Sequence, residues 1–141
     1  MNSPQIGFSL NRITTEQFAV FESVFDEKKE ININTEIRFG IDHENKIIAA
    51  FALFNFEQDQ SIFLLIEACC HFNVADDTWK SFSGTEYKLK VDKGFLSHLA
   101  MLTVGTARGI LHTKTEGTKF NQFFLPTINV ADMITSDAFF D

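Results

Sequence analysis

Apolar and polar residues alternate along much of the first half of this chain, with the period of half-buried β-strands. Residues 5–13 alternate in this way, whereas 18–25 fit either a strand or an irregular segment. The clearest alternation spans residues 31–41, which predicts a strand with one wet face. Residues 47–56 are apolar on both faces, so we expect this strand to lie centrally in a sheet.

Two short polar segments separate the long strands. Residues 42–45 and 58–61 are rich in turn-forming side chains, and a third long alternation follows over 62–74. The three segments predict an antiparallel meander. Glu67 is the one charge within the last of these strands, so we expect it at the middle of the sheet's more exposed face. It is either an ordinary solvated residue or part of an acidic docking patch with Glu22.

The second half of the chain begins with a predicted short helix. Asp76 and Asp77 are placed to open it, and it continues through Trp79 and Phe82 before a brief alternation over 87–91. A second short helix is expected from Val130 to about 140, with Asn129 as its N-cap.

A long helix is predicted between these two short ones, from Gly94 to about His112, with Gly117 as its C-cap residue. Its apolar positions cover roughly 200° of the helix surface, about twice what one sheet requires, so we expect it also to pack against another helix. Gly105 and Gly109 would form a small-residue strip for that contact, although simple tolerance of glycine is the alternative.

Composition narrows the function classes. The length of 141 residues fits a single domain, residues 1–141. A net charge of −7 argues against a nucleic-acid partner, because affinity for phosphates depends on Lys and Arg. The apolar runs are far shorter than the ~20 residues of a membrane-spanning helix. With no basic or apolar leader at Met1, and with adjacent cysteines that cannot staple distant segments, we expect a cytoplasmic protein.

The motifs of common catalytic and metal sites are missing from the sequence. The four histidines are scattered, and neither an HExxH nor a CxxC spacing occurs. Cys69, Cys70 and His71 would alternate between the two faces of a strand and could not converge on one ion. Nucleophile elbows, phosphate loops and dinucleotide turns are also absent. We therefore expect no enzymatic activity, no metal and no cofactor.

Phenylalanine is the unusual feature of the composition, with 17 residues. Those at strand positions, Phe8, Phe39, Phe51 and Phe72, are expected in the core. The aromatic residues of the connections and of the last segment are harder to bury against one sheet. Exposed apolar patches with polar rims mark binding surfaces, so several of these residues are candidates for a hydrophobic groove.

Several short motifs, in this order along the chain, resemble the SecB family of bacterial export chaperones. The resemblance spans residues 8 to about 134, and it rests on Phe8-Ser9-Leu10-Asn11-Arg12-Ile13, Phe63-Leu64-Leu65-Ile66-Glu67, Ala107-Arg108, Gly117-Thr118 and Leu125-Pro126-Thr127-Ile128-Asn129. It implies an α+β fold, with a four-stranded antiparallel sheet and a long and a short helix on one face. It also implies a dimer of dimers joined through the sheets and the long helices.

The function implied by the resemblance is that of an ATP-independent holdase, which binds unfolded or precursor polypeptides in an aromatic-lined groove and delivers them to the SecA ATPase. Candidate peptide-binding residues are Phe54, Phe56, Trp79, Phe82, Tyr87, Phe120, Phe123, Phe124, Met133 and Phe139. Candidate SecA-docking residues are Glu22 and Glu67, and candidate oligomer-interface residues are Leu99, Leu102, Gly105, Thr106 and Gly109.

Two alternatives remain open at this point. The connection over 75–93 is longer than in the best-known family members, and the sequence ends without their Cys/His tail, so a SecB-like chaperone of an antitoxin fits as well as an export chaperone. The rival class is a carrier or enzyme of the hot-dog type that holds a small apolar molecule. Its candidate polar groups, Glu67 and His71, would lie about 13 Å apart along one strand, which is too far for a direct catalytic pair.

Overall fold

The computed structural model describes residues 7–83 and 89–141, so Tyr87 of the expected groove lies outside the described residues. The fold is α+β. Its elements are strands β1 (Phe8–Val20), β2 (Asn32–Asp42), β3 (Ile47–Gln58) and β4 (Ser61–Val74), helix α1 (Asp76–Phe82), strand β5 (Leu89–Val91), helix α2 (Lys93–Thr115), a 3₁₀ turn at Lys119–Gln122, helix α3 (Val130–Met133) and strand β6 (Ala138–Phe140).

The first four strands form one antiparallel sheet in the order β1-β4-β3-β2. The expected meander of β2, β3 and β4 is confirmed, and so is the central place of β3. Strand β1 lies at the edge and pairs with β4. Strands β5 and β6 form a separate two-stranded antiparallel sheet.

Tight polar turns set the register of the meander. Asp59 and Gln60 join β3 to β4 with φ angles of 49° and 67°, so both adopt the left-handed conformation of a type I′ hairpin. At the preceding turn, the Asp42 carboxylate accepts a hydrogen bond from the Asn45 backbone at 3.1 Å. The Asn45 side chain, followed by its backbone, lowers the pKa of Asp42.

Strand β1 is longer than the sequence predicts and is irregular. It includes residues 18–20, whose pattern is ambiguous, and the chain then turns over 21–24. Its register against β4 shifts between Leu10 and Arg12 and again between Thr15 and Gln17, as at β-bulges. Each extra residue resets the alternation, which explains why a simple period of two ends near residue 13.

One face of the sheet carries the helices and the core. Alternate residues of β3 and β4 from Ile48 to Val74 are buried there, and α2 contacts both strands. Among the residues expected in this core, Phe72 is buried and Phe8 and Phe39 are half-buried against it. The expectation for Phe51 is wrong, because it lies on the opposite face with the Arg38 guanidinium 3.7 Å from its ring centre.

Helix α2 closely matches its prediction. Asp92 caps its N-terminus by accepting a hydrogen bond from the Phe95 N–H at 3.1 Å. The helix ends at Thr115, and Gly117 follows with φ of 78°, which confirms its place after the C-terminus.

The prediction of a second helix to residue 140 is wrong. Asn129 does cap α3 by accepting from the Ala131 N–H, but α3 ends at Met133. The next residues, Ile-Thr-Ser-Asp, are weak helix formers, and the backbone that follows pairs with β5 instead.

Candidate functional site

Five phenylalanine rings form a continuous group at the end of the sheet that carries the β3–β4 hairpin. The group, called the Phe63 cluster, consists of Phe25, Phe56, Phe63, Phe120 and Phe123, and its ring centres lie 4.9–6.3 Å apart. Phe56, Phe63 and Phe120 are buried, whereas Phe25 and Phe123 are half-buried. Edge-to-face contacts of this kind stabilise the group beyond simple area burial.

The margin of the Phe63 cluster leaves apolar side chains in solvent. Phe21 is 46% exposed and Val24 is 39% exposed, in the turn that follows β1. The Phe21 N–H donates to the Phe63 carbonyl at 2.8 Å, and the Val24 N–H donates to the Phe21 carbonyl at 3.0 Å, which fixes both residues beside the rings. Lys119 lies 5.5 Å from the ring centre of Phe25. The margin is therefore an apolar surface with a charged rim.

A second cluster, called the Trp79 cluster, lies at the opposite end of the sheet. Trp79 and Phe82 of α1 are buried together with Phe95 of α2 and with Ile48 and Phe72 of the sheet. This group also includes Leu89 and Val91 of β5, and Ala138 and Phe140 of β6 pack against it. The connection between β4 and α2 and the end of the chain together close this side of the core.

The aromatic residues expected in one groove do not come together: Phe56, Phe120 and Phe123 belong to the Phe63 cluster, Trp79 and Phe82 belong to the Trp79 cluster, and Phe54, Phe124 and Phe139 belong to neither. Trp79, Phe82 and Phe120, which lie in connections and were expected to be hard to bury, are buried because the connections fold over both ends of the sheet; Phe54 and Phe56 of β3 are also buried. Phe124, Met133 and Phe139 are exposed, and Phe123 is half-buried. Peptide binding by any of these residues stays a prediction.

An open groove runs between β1 and α2, along the small-residue strip of the helix. Its cavity of about 620 Å³ is lined by Thr15, Gly105, Thr106, Gly109, Ile110, Thr113 and Lys114. A Cβ atom added at either glycine would meet nothing within 4 Å. The exposed side chains of Leu10, Ile13, Met101 and Leu102 add apolar surface on the same two elements.

Four of the five expected oligomer-interface residues lie at least partly on the outer side of α2. Leu102 and Gly105 are exposed and Gly109 is open to added volume. Leu99 is the exception, because it is fully buried against the core and cannot contact a second chain. Leu99 lies on the sheet side of the helix with Thr103, Ala107 and Leu111, which follow it at intervals of four residues and are also buried.

Glu67 lies on the sheet face opposite the helices, as expected, but it is only 5% exposed, which corrects the expectation of a solvent-facing carboxylate. It accepts a hydrogen bond from the Gln17 side chain at 3.0 Å, and Arg38 lies 3.6 Å away. Glu22 is exposed and pairs instead with Lys119 at 3.5 Å. The two expected docking carboxylates therefore have separate surroundings.

The cysteines lie in the interior. Cys69 and Cys70 are both buried, and burial raises the pKa of the Cys69 thiol to about 11. The Cys69 Sγ lies 3.4 Å from Nε2 of His71 on the same face of β4. His71 and Glu67, the polar candidates for a small-molecule site, thus each have partners of their own. Within residues 7–83 and 89–141 no three potential metal ligands are grouped.

Sequence reasoning missed the residues that form the exposed surfaces. Phe21, Val24 and Phe25 belong to residues 18–25, whose pattern fits either a strand or an irregular segment. Their closely spaced apolar side chains directly after a predicted strand could have indicated this surface. Leu10 continues the apolar alternation of β1, and the register shift after it places Ile13 on the same face of the sheet; both are exposed on the edge strand.

The fold is thus α+β, with helices on one face of a four-stranded antiparallel sheet and a separate two-stranded sheet. In the described part of the chain no helix has both the length and the apolar character needed to cross a membrane. No protein-family model matches the chain, and no curated protein matches it. A similar solved structure is the Mycobacterium tuberculosis Rv1957 SecB-like chaperone in complex with a ChAD peptide from the Rv1956 HigA1 antitoxin. The TM-score is 0.43 with 12% sequence identity, over 88% of this chain and 90% of that one.

Proposed function

We propose that this protein is a non-enzymatic, ATP-independent chaperone that binds extended apolar segments of non-native polypeptides. The observation that carries the proposal is the exposed margin of the Phe63 cluster, where Phe21 and Val24 present apolar surface beside half-buried rings. The ordered sequence motifs shared with the SecB family support the same function.

Binding at this margin would depend on apolar burial more than on sequence. A client side chain that covers Phe21 or Val24 removes apolar surface from water, which contributes about 25 cal/mol per Å². The rings beneath are held by their contacts to Phe63, so little ordering is needed when a client arrives. The net charge of −7 keeps such a surface soluble and favours clients with basic segments.

Self-association belongs to the same proposal. The β1–α2 groove and its exposed side chains fit a second copy of the chain, because the small-residue strip lets another helix approach closely. Strand β1 is also an edge strand, whose free backbone groups can pair with another edge. We propose that the protein assembles through both surfaces into a dimer of dimers. We also propose that it acts in the cytoplasm.

The clients we propose are unfolded or precursor polypeptides, with an antitoxin segment as the alternative. Delivery to SecA would require a docking surface other than a solvent-facing Glu67, because that carboxylate is buried beneath Arg38 and Gln17.

The test is suppression of aggregation of a chemically unfolded model client, together with the affinity for a labelled unfolded polypeptide. A Phe21→Ser/Val24→Ser double variant should bind at least tenfold more weakly than the unchanged chain. Met101→Ser, which also removes an exposed apolar side chain but lies on α2, is the matched control and should retain client affinity when the two variants are compared in the same state of assembly by light scattering.

Two results would reject the proposal. One is an unchanged chain that neither binds unfolded polypeptide nor delays aggregation. The other is equal loss of affinity in the double variant and in Met101→Ser. Light scattering reports the assembly separately, since the proposal expects a particle of four 16.0 kDa chains.

A further inference from the structure

Strand β6 is an extended apolar segment of the chain that is held on an otherwise free strand edge. It pairs antiparallel with β5, with Phe140 opposite Leu89, Phe139 opposite Lys90 and Ala138 opposite Val91. Ala138 and Phe140 pack against the Trp79 cluster, while Phe139 points away and is 61% exposed. This arrangement is strand addition, in which backbone hydrogen bonds hold the segment and alternate side chains enter an apolar surface.

A single acidic residue anchors the start of β6. The Asp137 carboxylate accepts a hydrogen bond from the Lys93 backbone N–H, at the first residue of α2, at 2.9 Å. Its other oxygen lies 3.6 Å from Nζ of Lys90. At the far end, His43 of the β2–β3 turn contacts the carbonyl of Asp141. Both ends of β6 are therefore fastened by polar contacts at the protein surface.

The attachment of β6 is local and separable from the core. In the described part of the chain its sheet has two strands, each of three residues, and residues 134–137 before β6 have no regular structure. Isolated two-stranded sheets of this size are marginal without support from packing. Lifting β6 would free the β5 edge and uncover Trp79-cluster surface while leaving the four-stranded sheet intact.

We propose that β6 occupies a client-binding site on β5, where it pairs by strand addition. An extended client segment binds at this site by displacing β6. The proposal rests on the chaperone function above and adds a second client site that is closed in the resting protein. The segment accepted would place small or aromatic apolar side chains at alternate positions, as Ala138 and Phe140 do.

A reversible cross-link tests the displacement in the full chain. Lys90 and Phe139 are directly opposite and both exposed, so a Lys90→Cys/Phe139→Cys pair is within disulfide reach without disturbing the packed side chains. In a Phe21→Ser/Val24→Ser background, where the Phe63 margin no longer contributes, the oxidised form should bind a labelled extended client at least tenfold more weakly than the same protein after reduction. The unchanged chain, whose two cysteines are buried, is the control and should not respond to reductant.

A substitution that removes the charge of the anchor should have the opposite effect on client affinity. Asp137→Asn weakens the anchor of β6 and should increase client affinity several-fold, whereas Asp132→Asn, an exposed acid on α3, should leave affinity unchanged. In the Phe21→Ser/Val24→Ser background, equal client affinity of the oxidised and reduced forms of the cysteine pair would overturn the proposal.

The failure of this proposal can be told apart from failure of the chaperone function. A labelled peptide of residues 135–141, Thr-Ser-Asp-Ala-Phe-Phe-Asp, competes with β6 for the edge of β5. Its binding can be measured whether or not the protein binds unfolded polypeptides. Binding to the reduced but not the oxidised variant supports displacement even if no unfolded protein is bound. Equal binding to both forms overturns displacement, and aggregation suppression that persists in both forms leaves the Phe63 margin as the client site.

Discussion

Gly105→Ala should stabilise this protein, because the position combines an unfavourable helix residue with open space. Gly105 lies well inside the 23-residue helix α2, and an added Cβ meets nothing within 4 Å. Glycine in a helix interior is about 1 kcal/mol less favourable than alanine, chiefly through the entropy of the unfolded chain. The substitution should therefore raise the free energy of unfolding by about 1 kcal/mol.

Urea unfolding followed by circular dichroism measures this change. With an m-value of about 2 kcal/mol per M, the midpoint should rise by roughly 0.5 M, and the same gain should raise Tm by about 3 °C. Gly117→Ala is the matched control, since Gly117 has φ of 78° and also has no neighbour within 4 Å of an added Cβ. There the left-handed backbone makes alanine unfavourable by about 1 kcal/mol.

The outcome at Gly105 depends on whether the strip is covered in solution. At concentrations where light scattering reports single chains, a lower unfolding free energy for Gly105→Ala would refute the reasoning, because it would mean that the Cβ meets atoms of the same chain. At concentrations where the chain assembles, Gly105→Leu should reduce self-association if a second backbone approaches there. Unchanged assembly would remove the strip from the interface.

Three further predictions concern the interior and the β6 anchor. Phe63→Ala removes the ring shared by four aromatic contacts and should lower the free energy of unfolding by about 3–5 kcal/mol in urea titrations. Cys69, with its pKa raised to about 11 by burial, should react with iodoacetamide at pH 8 far more slowly than in urea, and a native rate near the unfolded rate would contradict its burial. The Lys93 backbone N–H lowers the pKa of Asp137 in the folded protein. The stability that this contact contributes is therefore present above the pKa of the unfolded chain, about 3.9, and is lost as the pH falls through the lower pKa of the folded protein. Amide exchange in β5 should accordingly be slower in the unchanged chain than in Asp137→Asn at pH 6, with a difference that disappears in acid.

Most of the fold could be predicted because local patterns determine it. The period-two alternation of β2, the two-sided apolar run of β3 and the helical period of α2 each follow from burial on known faces. The caps at Asn129 and Gly117 were likewise predictable from residue type, since their side-chain or backbone chemistry acts within a few residues. These features depend on neighbours in sequence.

The surfaces could not be predicted to the same extent, because burial depends on neighbours in space. Trp79 and Phe82 lie in the connection between β4 and α2, where burial was expected to be difficult, but β5 and β6 pack over them. Glu67 was expected in solvent because it is charged. It is instead covered by Gln17 of β1 and Arg38 of β2, two strands that are not adjacent to β4 along the chain. Pattern analysis of one strand contains no information about such cross-strand partners.

Residue size explains why the two aromatic clusters lie at opposite ends of the helix-bearing face of the sheet. The middle of the helix-bearing face carries small side chains, with Ala52 paired to Ala68 and with Ala100 and Ala107 on the facing side of α2. Small residues let a helix lie close to a sheet, so that the centre closes without large rings. The aromatic rings fill the wider space at both ends of the sheet. In the Phe63 cluster the covering is incomplete, because Phe25 and Phe123 are only half-buried. The client surface that we propose at the Phe63 end, and the site that we propose beneath β6 at the Trp79 end, both lie where this distribution of volume places the large side chains.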